Sequence, residues 1–367
     1  FNYHAALYAD DYHPYRTATS GGVPFGDGLN TLSNFPFSED LIRVKWDDCS
    51  NTDGNCLTPK GFTWNRIRLE EGVYLDIYNC HTGAGDVEEA LVARRKNIIQ
   101  LVNYINTNSA GNAVLLTGDW NCRYTRTEDN IRLVTTDAGA TDVWIQMIKN
   151  GIMPTQGSNA LMCDGVVTDY QCEIVDKTFY RSNSYITLNP LEFTYEDAKF
   201  RDENGEMLSD HRPVFTRFQY TLNSNLKMSD QFGGPHGTGF NNANNLPASP
   251  KVATIGMRAG SRVDQVNLTL SNGTTFTHGG TGGTAKTLTL NSGEYVKSIQ
   301  LCAAKYNNKT RIFYCKYTTN TGRTLSGGST TSSTVTYTAP TGWQIVGFHG
   351  RGGANVDKLG VIYAPIN

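Results

Sequence analysis

Six polar residues in the first two-thirds of the chain have the types and spacing for acid–base chemistry. They are His81, Asp119, Asn121, Asp164, Asp210 and His211. Two imidazoles on either side of a scissile group can divide the work, because one takes a proton from the attacking water and the other stabilises or protonates the leaving oxygen. Neighbouring carboxylates can orient each ring. These residues therefore indicate a hydrolytic site.

The spacing of these residues favours a site over isolated structural roles. The pair Asp210 and His211 precedes a proline and an apolar run from Val214, as at the mouth of a buried strand. Asp119 and Asn121 are two apart on an extended segment, so both side chains can reach one cation, water or phosphate oxygen. A lone strand-end histidine is more often structural, and Asp-x-Asn is common in turns. Their combination at several strand ends favours catalysis.

The elements that must position these residues alternate between strand and helix patterns. Alternating or continuous apolar runs predict strands, and an apolar period near 3.6 predicts helices. The expected strands cover residues 73–79, 113–117 and 214–220, and the expected helices cover 88–106 and 142–149. Polar residues recur where the strands end. This pattern predicts a layered α/β domain with its site at the rim of a sheet.

The composition changes near residue 220. Beyond a polar segment, the chain is rich in Gly, Thr, Ser and Asn, with short alternating strands and no helical pattern. This change predicts a separate all-β domain. We expect a first domain at 1–222, a linker at 223–229 and a second domain at 230–367.

Net charge and hydropathy limit the classes of binding partner that the sequence favours. The formal net charge of −2 over 367 residues shows no basic bias, so composition favours no polyanionic partner. No window approaches 18 apolar residues, so we expect no membrane span. Any phosphate binding is therefore expected to be local.

The eight cysteines favour disulfides and a secreted, extracellular protein. The expected pairs are Cys49 with Cys56, Cys163 with Cys172 and Cys302 with Cys315, which leaves Cys80 and Cys122. Four bridges are expected, and the alternative is buried free thiols in a reducing compartment. Zinc is disfavoured because no CxxC pair occurs. Sequons at Asn267, Asn272 and Asn308 agree with export.

Four motifs in the first domain resemble those of the endonuclease/exonuclease/phosphatase superfamily. They are GLNTLSNFP at 28–36, YNCH at 78–81, GDWN at 118–121 and SDHRPV at 209–214. This superfamily includes pancreatic deoxyribonuclease and the neutral sphingomyelinases, and the likeness spans about residues 1–222. It implies an α/β four-layer β-sandwich and a Mg²⁺-dependent phosphodiesterase.

The resemblance also implies roles for the six residues. His211 would be the general base oriented by Asp210, and His81 would act at the leaving or non-bridging oxygen. Asp119 would position the water, and Asn121 would contact phosphate or metal. Asp164 would orient His81, although Gly165 stands where the family usually has a bulky or basic residue. Asn121 and Asp210 are the residues of this chain expected to approach the metal.

One departure concerns the metal ligand. The family's fold opens with a strand carrying an Asn, and its next strand ends in a Gln-Glu whose carboxylate holds Mg²⁺. The segment Phe1-Asn2-Tyr3-His4 resembles the residues that come after that Glu, so both elements are expected upstream of residue 1. Three explanations stay open: a cleaved N-terminal fragment held separately, a segment missing from this sequence, or a pseudoenzyme.

The second domain resembles the jacalin-related lectins. The likeness rests on FGGPHGTGF at 232–240, HGGTGG at 278–283, IVGFHGRGG at 345–353 and Asp357. It implies a β-prism of three four-stranded sheets. The family's Gly-x-x-x-Asp sugar loop is matched by Gly353, Ala354, Asn355, Val356 and Asp357, with Gly237 and Thr238 in a neighbouring wall. A carboxylate there can accept hydrogen bonds from two sugar hydroxyls.

Two functions follow from these resemblances. The first is a secreted metal-dependent phosphodiesterase, nuclease-like or sphingomyelinase-like, that its lectin targets to glycosylated surfaces. The second is a lectin whose larger domain is inactive or a processed remnant. Because Ala354 and Asn355 offer no aromatic platform, mannose-type or glucose-type glycans are favoured slightly. Nucleic acid and phospholipid substrates are not ranked by the sequence.

Overall fold

The computed structural model describes residues 3–20, 26–52 and 55–366. Phe1 and Asn2, which belong to the N-terminal part of the resemblance, lie outside the described residues. Within these ranges the helices are α1 Tyr3–Asp10, α2 Glu88–Asn108, α3 Leu133–Thr136 and α4 Val143–Met147. Short 3₁₀ turns lie at Asp197–Lys199 and Ala243–Asn245.

In the described part of the chain, ten strands belong to the first domain and thirteen to the second. The first ten are β1 Tyr15–Arg16, β2 Leu32–Ser33, β3 Ile42–Lys45, β4 Gly61–Glu70, β5 Val73–His81, β6 Val114–Asp119, β7 Thr141–Asp142, β8 Asp176–Arg181, β9 Ile186–Tyr195 and β10 Val214–Leu222. The others are β11 Lys227–Met228, β12 Phe232–Gly233, β13 Thr238–Asn241, β14 Val252–Ala259, β15 Val263–Leu270, β16 Thr275–Gly279, β17 Thr284–Thr289, β18 Val296–Tyr306, β19 Lys309–Thr319, β20 Thr324–Gly328, β21 Ser333–Thr338, β22 Trp343–Gly352 and β23 Val356–Pro365.

The first domain is an α/β sandwich centred on a six-stranded sheet with the order β3-β4-β5-β6-β8-β7. Strands β5 and β6 are parallel, and the other neighbours are antiparallel. The parallel pair needs a crossover, which α2 supplies. Strands β9 and β10 form a second antiparallel pair. The layered α/β class predicted from the sequence is therefore confirmed.

Helix α2 confirms the expected helix and extends it by two residues at its C-terminal end. Its apolar stripe is buried in the core of the first domain. Helical periodicity places Arg94, Arg95 and Lys96 largely off the apolar face and predicts a solvated basic side, and for Arg94 this prediction is wrong. Arg94 is buried and donates to the Asp129 carboxylate and to the Gly83 and Gly85 carbonyls. A buried guanidinium is tolerated because a carboxylate compensates it.

The second domain is an all-β prism, as expected. Its three sheets have the orders β11-β23-β22-β13, β16-β15-β14-β17 and β20-β19-β18-β21, with β12 also paired to β23. Their inner faces enclose a core of aliphatic and aromatic side chains. The connection from the first domain is shorter than the expected 223–229 linker. Lys227 and Met228, within the expected linker, already pair with β23, and Met228 is buried.

Polar contacts and shared core residues join the two domains at one end of the large sheet. Asp230 accepts hydrogen bonds from the Arg68 guanidinium, the Tyr74 hydroxyl and the Gly72 backbone N–H. This contact lies beside the first residues of β5, whereas His81 ends the same strand. At about 3.3 Å per residue, the two ends are about 26 Å apart. The predicted site therefore lies far from the domain junction.

The structure contains two of the four expected disulfides. Cys49 pairs with Cys56, and Cys163 pairs with Cys172. The other four cysteines are buried free thiols, so the expectation of four bridges is wrong. Cys302 lies opposite Tyr314, and Cys315 lies opposite Leu301, so the one-residue offset sends the two thiols to opposite faces of their sheet. Cys80 lies opposite Gly118, whereas Cys122 follows the end of β6.

Hydropathy along the helices adds one observation. Within the described parts of the chain, no helix is both long enough and apolar enough to cross a membrane.

Candidate active site and carbohydrate loops

Three neighbouring strands place their end residues in a single row. His81 is the register partner of Asp119, and Asp119 is the register partner of Asp176, the first residue of β8. Register partners on adjacent strands point to the same face of a sheet. The His81 Nε2 lies 3.3 Å from an Asp119 carboxylate oxygen. The Trp46 indole N–H donates to the His81 carbonyl and fixes the backbone beneath the ring.

The turn after β6 explains the GDWN motif. Gly118 has a φ of 136°, and a side chain there would meet the Cys80 carbonyl oxygen at 2.0 Å, so only glycine fits. Asn121 has a positive φ of 48°, a conformation that asparagine tolerates. Its amide donates to the Asp119 carboxylate at 2.9 Å and to the Thr82 carbonyl at 3.2 Å. Asn121 therefore fixes the direction of Asp119.

His211 reaches the row from the loop that precedes β10. Its Nδ1 lies 2.7 Å from the Asp176 carboxylate, and its Nε2 lies 3.9 Å from Asp119. The neighbouring Arg212 anchors the loop through the buried Asp197 carboxylate and the Gly165 carbonyl. The SDHRPV motif thus places the His211 ring beside the row, and Arg212 fixes the backbone of the loop.

Two sequence expectations about carboxylates need correction. The carboxylate hydrogen-bonded to His211 is Asp176, whereas Asp210 is exposed and accepts from the Ser209 hydroxyl. The chain bends at residues 208–211, so the Asp210 carboxylate is exposed while the ring of His211 contacts Asp176. Asp164, which was expected to orient His81, is exposed on the loop closed by the Cys163–Cys172 disulfide. The carboxylate that lies beside His81 is that of Asp119.

The two histidines have pKa values shifted in opposite directions. Burial lowers the pKa of His81, and the nearby Lys60 ammonium lowers it further. The pKa of His211 is raised although burial opposes the charged form, because the Asp176 hydrogen bond and charge stabilise the imidazolium. Burial raises the pKa of Asp176, and the His211 hydrogen bond works against this rise. At neutral pH His81 is the better neutral donor or acceptor, whereas His211 binds a proton more readily.

The same residues fit a divalent cation. Ligand atoms of Asp119, Asp176 and His211 lie within 4.8 Å of one another. Carboxylate oxygens are the ligands that Mg²⁺ and Ca²⁺ prefer. Asn121 adjoins this group through Asp119, while the exposed Asp210, expected as a metal residue, lies outside it. A cleft of about 320 Å³ opens beside Asn121, Asp176 and His211.

Sequence reasoning missed Asp176 and Lys60. Asp176 is the first residue of β8 and follows the apolar pair Ile174 and Val175, so no polar or glycine-containing segment marks where the strand begins. Lys60 lies before β4, and its ammonium donates to the Thr82 carbonyl at 3.4 Å. Burial lowers the pKa of Lys60, and the Asp119 charge opposes that change. Only the sheet order brings either residue to the site.

If His211 is the base of a hydrolytic site, as the sequence predicts, the Asp176→Asn variant is expected to move the pH dependence of the reaction. A base must be neutral, so activity is half-maximal near the pKa of His211 and falls below it. Removing the Asp176 charge lowers that pKa, so the acid limb of kcat/KM moves to lower pH by about one unit. The maximal rate falls about 10- to 100-fold because the ring is less firmly oriented.

The pH–rate profile of Asp176→Asn checks this shift, and Asp164→Asn is the matched control with an unshifted limb. An unshifted limb in Asp176→Asn would contradict the assignment. The same contact makes stability depend on pH in the opposite direction to activity: its contribution to stability decreases as pH rises, whereas activity increases. The His211–Asp176 contact stabilises the fold below the ordinary histidine pKa of about 6.5, and this contribution is lost as pH rises through the raised pKa.

The expected carbohydrate loops meet at one edge of the prism. Gly237, Thr238, Gly353 and Ala354 are exposed, whereas Asn355, Val356 and Asp357 are buried. A side chain at Gly237 would meet an Asp357 carboxylate oxygen at 2.6 Å, so glycine lets the first loop lie on the carboxylate. The structure thus brings the expected residues together.

Protein groups already engage the buried residues of this loop. The Asp357 side chain is 2% exposed and forms an ion pair with Arg311 of β19. The Asn355 amide donates to the Asp264 carboxylate at 2.7 Å. Asp357 was expected to accept hydrogen bonds from sugar hydroxyls, and here its carboxylate faces a guanidinium instead.

Comparison with known proteins matches both parts of the chain. Residues 1–217 match the family described as Endonuclease/Exonuclease/phosphatase family 2. Sphingomyelinases of Mycobacterium bovis and Mycobacterium tuberculosis are 42% identical over 205 residues, which cover 55% of this chain and 39% of theirs. The chain therefore spans about two-fifths of the length of these relatives.

Residues 229–362 match the Jacalin-like lectin domain. Horcolin of Hordeum vulgare is 28% identical over 139 residues, covering 36% of this chain and 95% of horcolin. Among solved structures, a Malaysian banana lectin aligns at 25% identity with a TM-score of 0.34, covering 38% of this chain and 99% of the lectin. The chain belongs to the Endonuclease/Exonuclease/phosphatase family 2 and carries a C-terminal jacalin-like lectin domain.

Proposed function

We propose that the first domain hydrolyses a phosphodiester bond with His211 as the general base. The observation that carries this proposal is the row of His81, Asp119 and Asp176 with His211 beside it. When Asp176 accepts the Nδ1–H, the Nε2 of neutral His211 has a lone pair for a water proton. That nitrogen is 3.9 Å from Asp119, so one water can contact both groups.

His81 takes a different role because its pKa is lowered by burial and by Lys60. A neutral imidazole is a poor proton donor to a leaving alkoxide but a good hydrogen-bond donor to a non-bridging phosphoryl oxygen. Of the two roles expected from the sequence, stabilisation of the phosphoryl oxygen is therefore the better supported. Asn121 holds Asp119 in position, and Asp176 holds the base.

A divalent cation, which we propose to be Mg²⁺, would be held by the carboxylates of Asp119 and Asp176. When bound, it would neutralise the charge that develops on the phosphoryl oxygens. These carboxylates also position the two histidines, so removal of either one is expected to impair both tasks.

The proposed substrate class is a phospholipid of the sphingomyelin type. The support is the likeness to the mycobacterial sphingomyelinases, which are 42% identical over most of the first domain. Nucleic acid is the competing substrate that the family resemblance leaves open. The second domain is proposed to bind glycans on glycoproteins or cell surfaces, and the two disulfides support a secreted, extracellular protein.

Hydrolysis of sphingomyelin vesicles and of duplex DNA, each with Mg²⁺, tests this proposal. We expect turnover of sphingomyelin that EDTA abolishes and Mg²⁺ restores. Asp119→Ala is expected to lower the rate at least about 100-fold, because it removes a metal oxygen and the partner of His81. The exposed, unrelated Asp169→Ala serves as the control.

Each other outcome has a definite meaning. Cleavage of DNA without cleavage of sphingomyelin would replace the substrate class with nucleic acid. Glycan binding without hydrolysis of either substrate would favour the alternative function, a lectin whose larger domain is inactive.

A further inference from the structure

A cluster of cations surrounds the carbohydrate loops of the second domain. Arg311 faces the buried Asp357, and Arg262 comes from the neighbouring turn between β14 and β15. Burial lowers the pKa of Arg311, and the nearby charge of Arg262 lowers it further. Lys309 begins the same strand as Arg311. Arg311 and Arg262 thus lie close enough to interact, beside the ion pair that Arg311 forms with Asp357.

Arg262 has no carboxylate to neutralise it. Among residues 3–20, 26–52 and 55–366, no Asp or Glu oxygen lies within 4.0 Å of its guanidinium. The guanidinium carbon lies 4.0 Å from the centroid of the Tyr306 ring, which is itself exposed. Stacking on an aromatic ring holds the planar guanidinium in one orientation. The guanidinium is therefore held in one orientation without forming an ion pair with any of the described residues.

Both guanidinium groups also have an unused donor. The Nε–H groups of Arg262 and Arg311 are buried, and neither has a hydrogen-bond partner in the described parts of the chain. Buried donors are normally satisfied, and an exception calls for a ligand, a water or an ion. Arginine has five N–H donors, so the ion pair with Asp357 leaves Arg311 able to bind a second anion.

A neutral sugar is a poor match for this arrangement. Neutral hexoses would need Asp357 as an acceptor for their hydroxyls, but its side chain is only 2% exposed and is paired with Arg311. A sugar carboxylate instead accepts paired hydrogen bonds from guanidinium groups. The Tyr306 ring, on which Arg262 stacks, gives the cluster an aromatic side chain that the Gly353–Asp357 loop lacks.

We propose that this site binds an anionic saccharide, such as a uronic or sialic acid, through Arg311 and Arg262. The proposal rests on the glycan-binding function proposed above and names its ligand class. Exposed Gly237 and Gly353 flank the Asp357 and Arg311 pair, so the sugar ring contacts these loops while its carboxylate meets the guanidinium groups. Mannose-type and glucose-type glycans become the competing ligands.

Binding of the whole protein to glucuronic acid, N-acetylneuraminic acid and methyl α-mannoside by titration calorimetry tests the proposal, with a glycan array beside it. We expect the acidic sugars to bind at least 10-fold more tightly than the mannoside, with an affinity that falls as salt is raised. Arg262→Gln is expected to weaken acidic-sugar binding at least 10-fold.

Two further variants make this result interpretable. Arg311→Gln is expected to weaken acidic-sugar binding as well, but it also removes the partner of buried Asp357. Arg262→Gln keeps that ion pair, so a folded variant is available even where Arg311→Gln unfolds. Arg323→Gln is the matched control, because Arg323 pairs with Glu294 and stands apart from the cluster. It is expected to bind acidic sugars as the wild type does.

The remaining outcomes separate two failures. Equal or tighter binding of the mannoside, or acidic-sugar binding unchanged in Arg262→Gln, would overturn the anionic ligand class while leaving a glycan-binding domain. Absence of binding to every glycan on the array would overturn the glycan-binding function itself, and the anionic ligand class with it.

Discussion

The His211→Ala variant is expected to lower kcat/KM for sphingomyelin hydrolysis by about 10²- to 10⁴-fold, the usual contribution of a positioned general base. The loss has a specific origin. The ring is the group beside Asp119 whose protonation Asp176 controls, and alanine leaves both carboxylates without it. Rates at saturating Mg²⁺ and at limiting substrate measure the effect directly.

Controls distinguish this loss from unfolding. The His211 side chain is partly exposed, so its removal should change the melting temperature little. His236→Ala, in the second domain, is expected to hydrolyse substrate at the wild-type rate. Asp210→Ala is expected to lose much less activity than His211→Ala, because Asp210 does not hydrogen-bond the ring. A tenfold loss or less in His211→Ala would contradict the role of base.

The sequence was sufficient to predict those site residues that lie at the ends of strands. His81 and Asp119 follow apolar runs of strand length, so their positions at one sheet edge could be anticipated. Asp176 could not be anticipated in the same way, because its contribution depends on β8 lying next to β6. Sheet order is a property of long-range pairing, and local patterns do not specify it.

Closeness in sequence gave wrong predictions of which side chains are in contact. Asp210 and His211 are neighbours, but the chain bends at residues 208–211, and a residue 35 positions away supplies the hydrogen bond to His211. The same limit applies to Cys302 and Cys315, which lie on paired strands but on opposite faces. Arg94 shows a third case, since its burial depends on a distant carboxylate, Asp129.

In the lectin domain, the loop motif has the spacing that the resemblance implies, but its surroundings differ chemically from those expected. Gly353 to Asp357 has the expected spacing, and the structure brings it to Gly237 as the resemblance implies. The side chain that changes its chemistry, Arg311, belongs to another hairpin and carries no motif. Spacing therefore predicted which loops lie together, whereas the charges beside them depend on how the neighbouring hairpin packs.

Asp76→Ala is expected to lower the free energy of unfolding by about 3 kcal/mol, because it removes the carboxylate that accepts two hydrogen bonds from buried Arg66 and leaves Glu39, 3.8 Å away, as its remaining anionic neighbour. Both Arg66 and Asp76 are almost fully buried, and two N–H groups of Arg66 reach the Asp76 carboxylate at 2.6 and 3.1 Å. A third donates to Gln231 at 3.2 Å, so the pair also braces the junction between the domains. Denaturant unfolding measures the change.

The double variant Arg66→Met with Asp76→Leu sharpens this expectation, because replacing both charges by apolar groups removes the uncompensated ion. We expect it to be clearly more stable than Asp76→Ala alone. Asp48→Ala is the control, since its exposed pair with Lys96 contributes about 1 kcal/mol or less. If Asp76→Ala changed stability no more than Asp48→Ala, Glu39 or water would have to compensate Arg66 in solution. The Arg66–Asp76 pair would then contribute little to holding the lectin domain at the end of the sheet opposite His81.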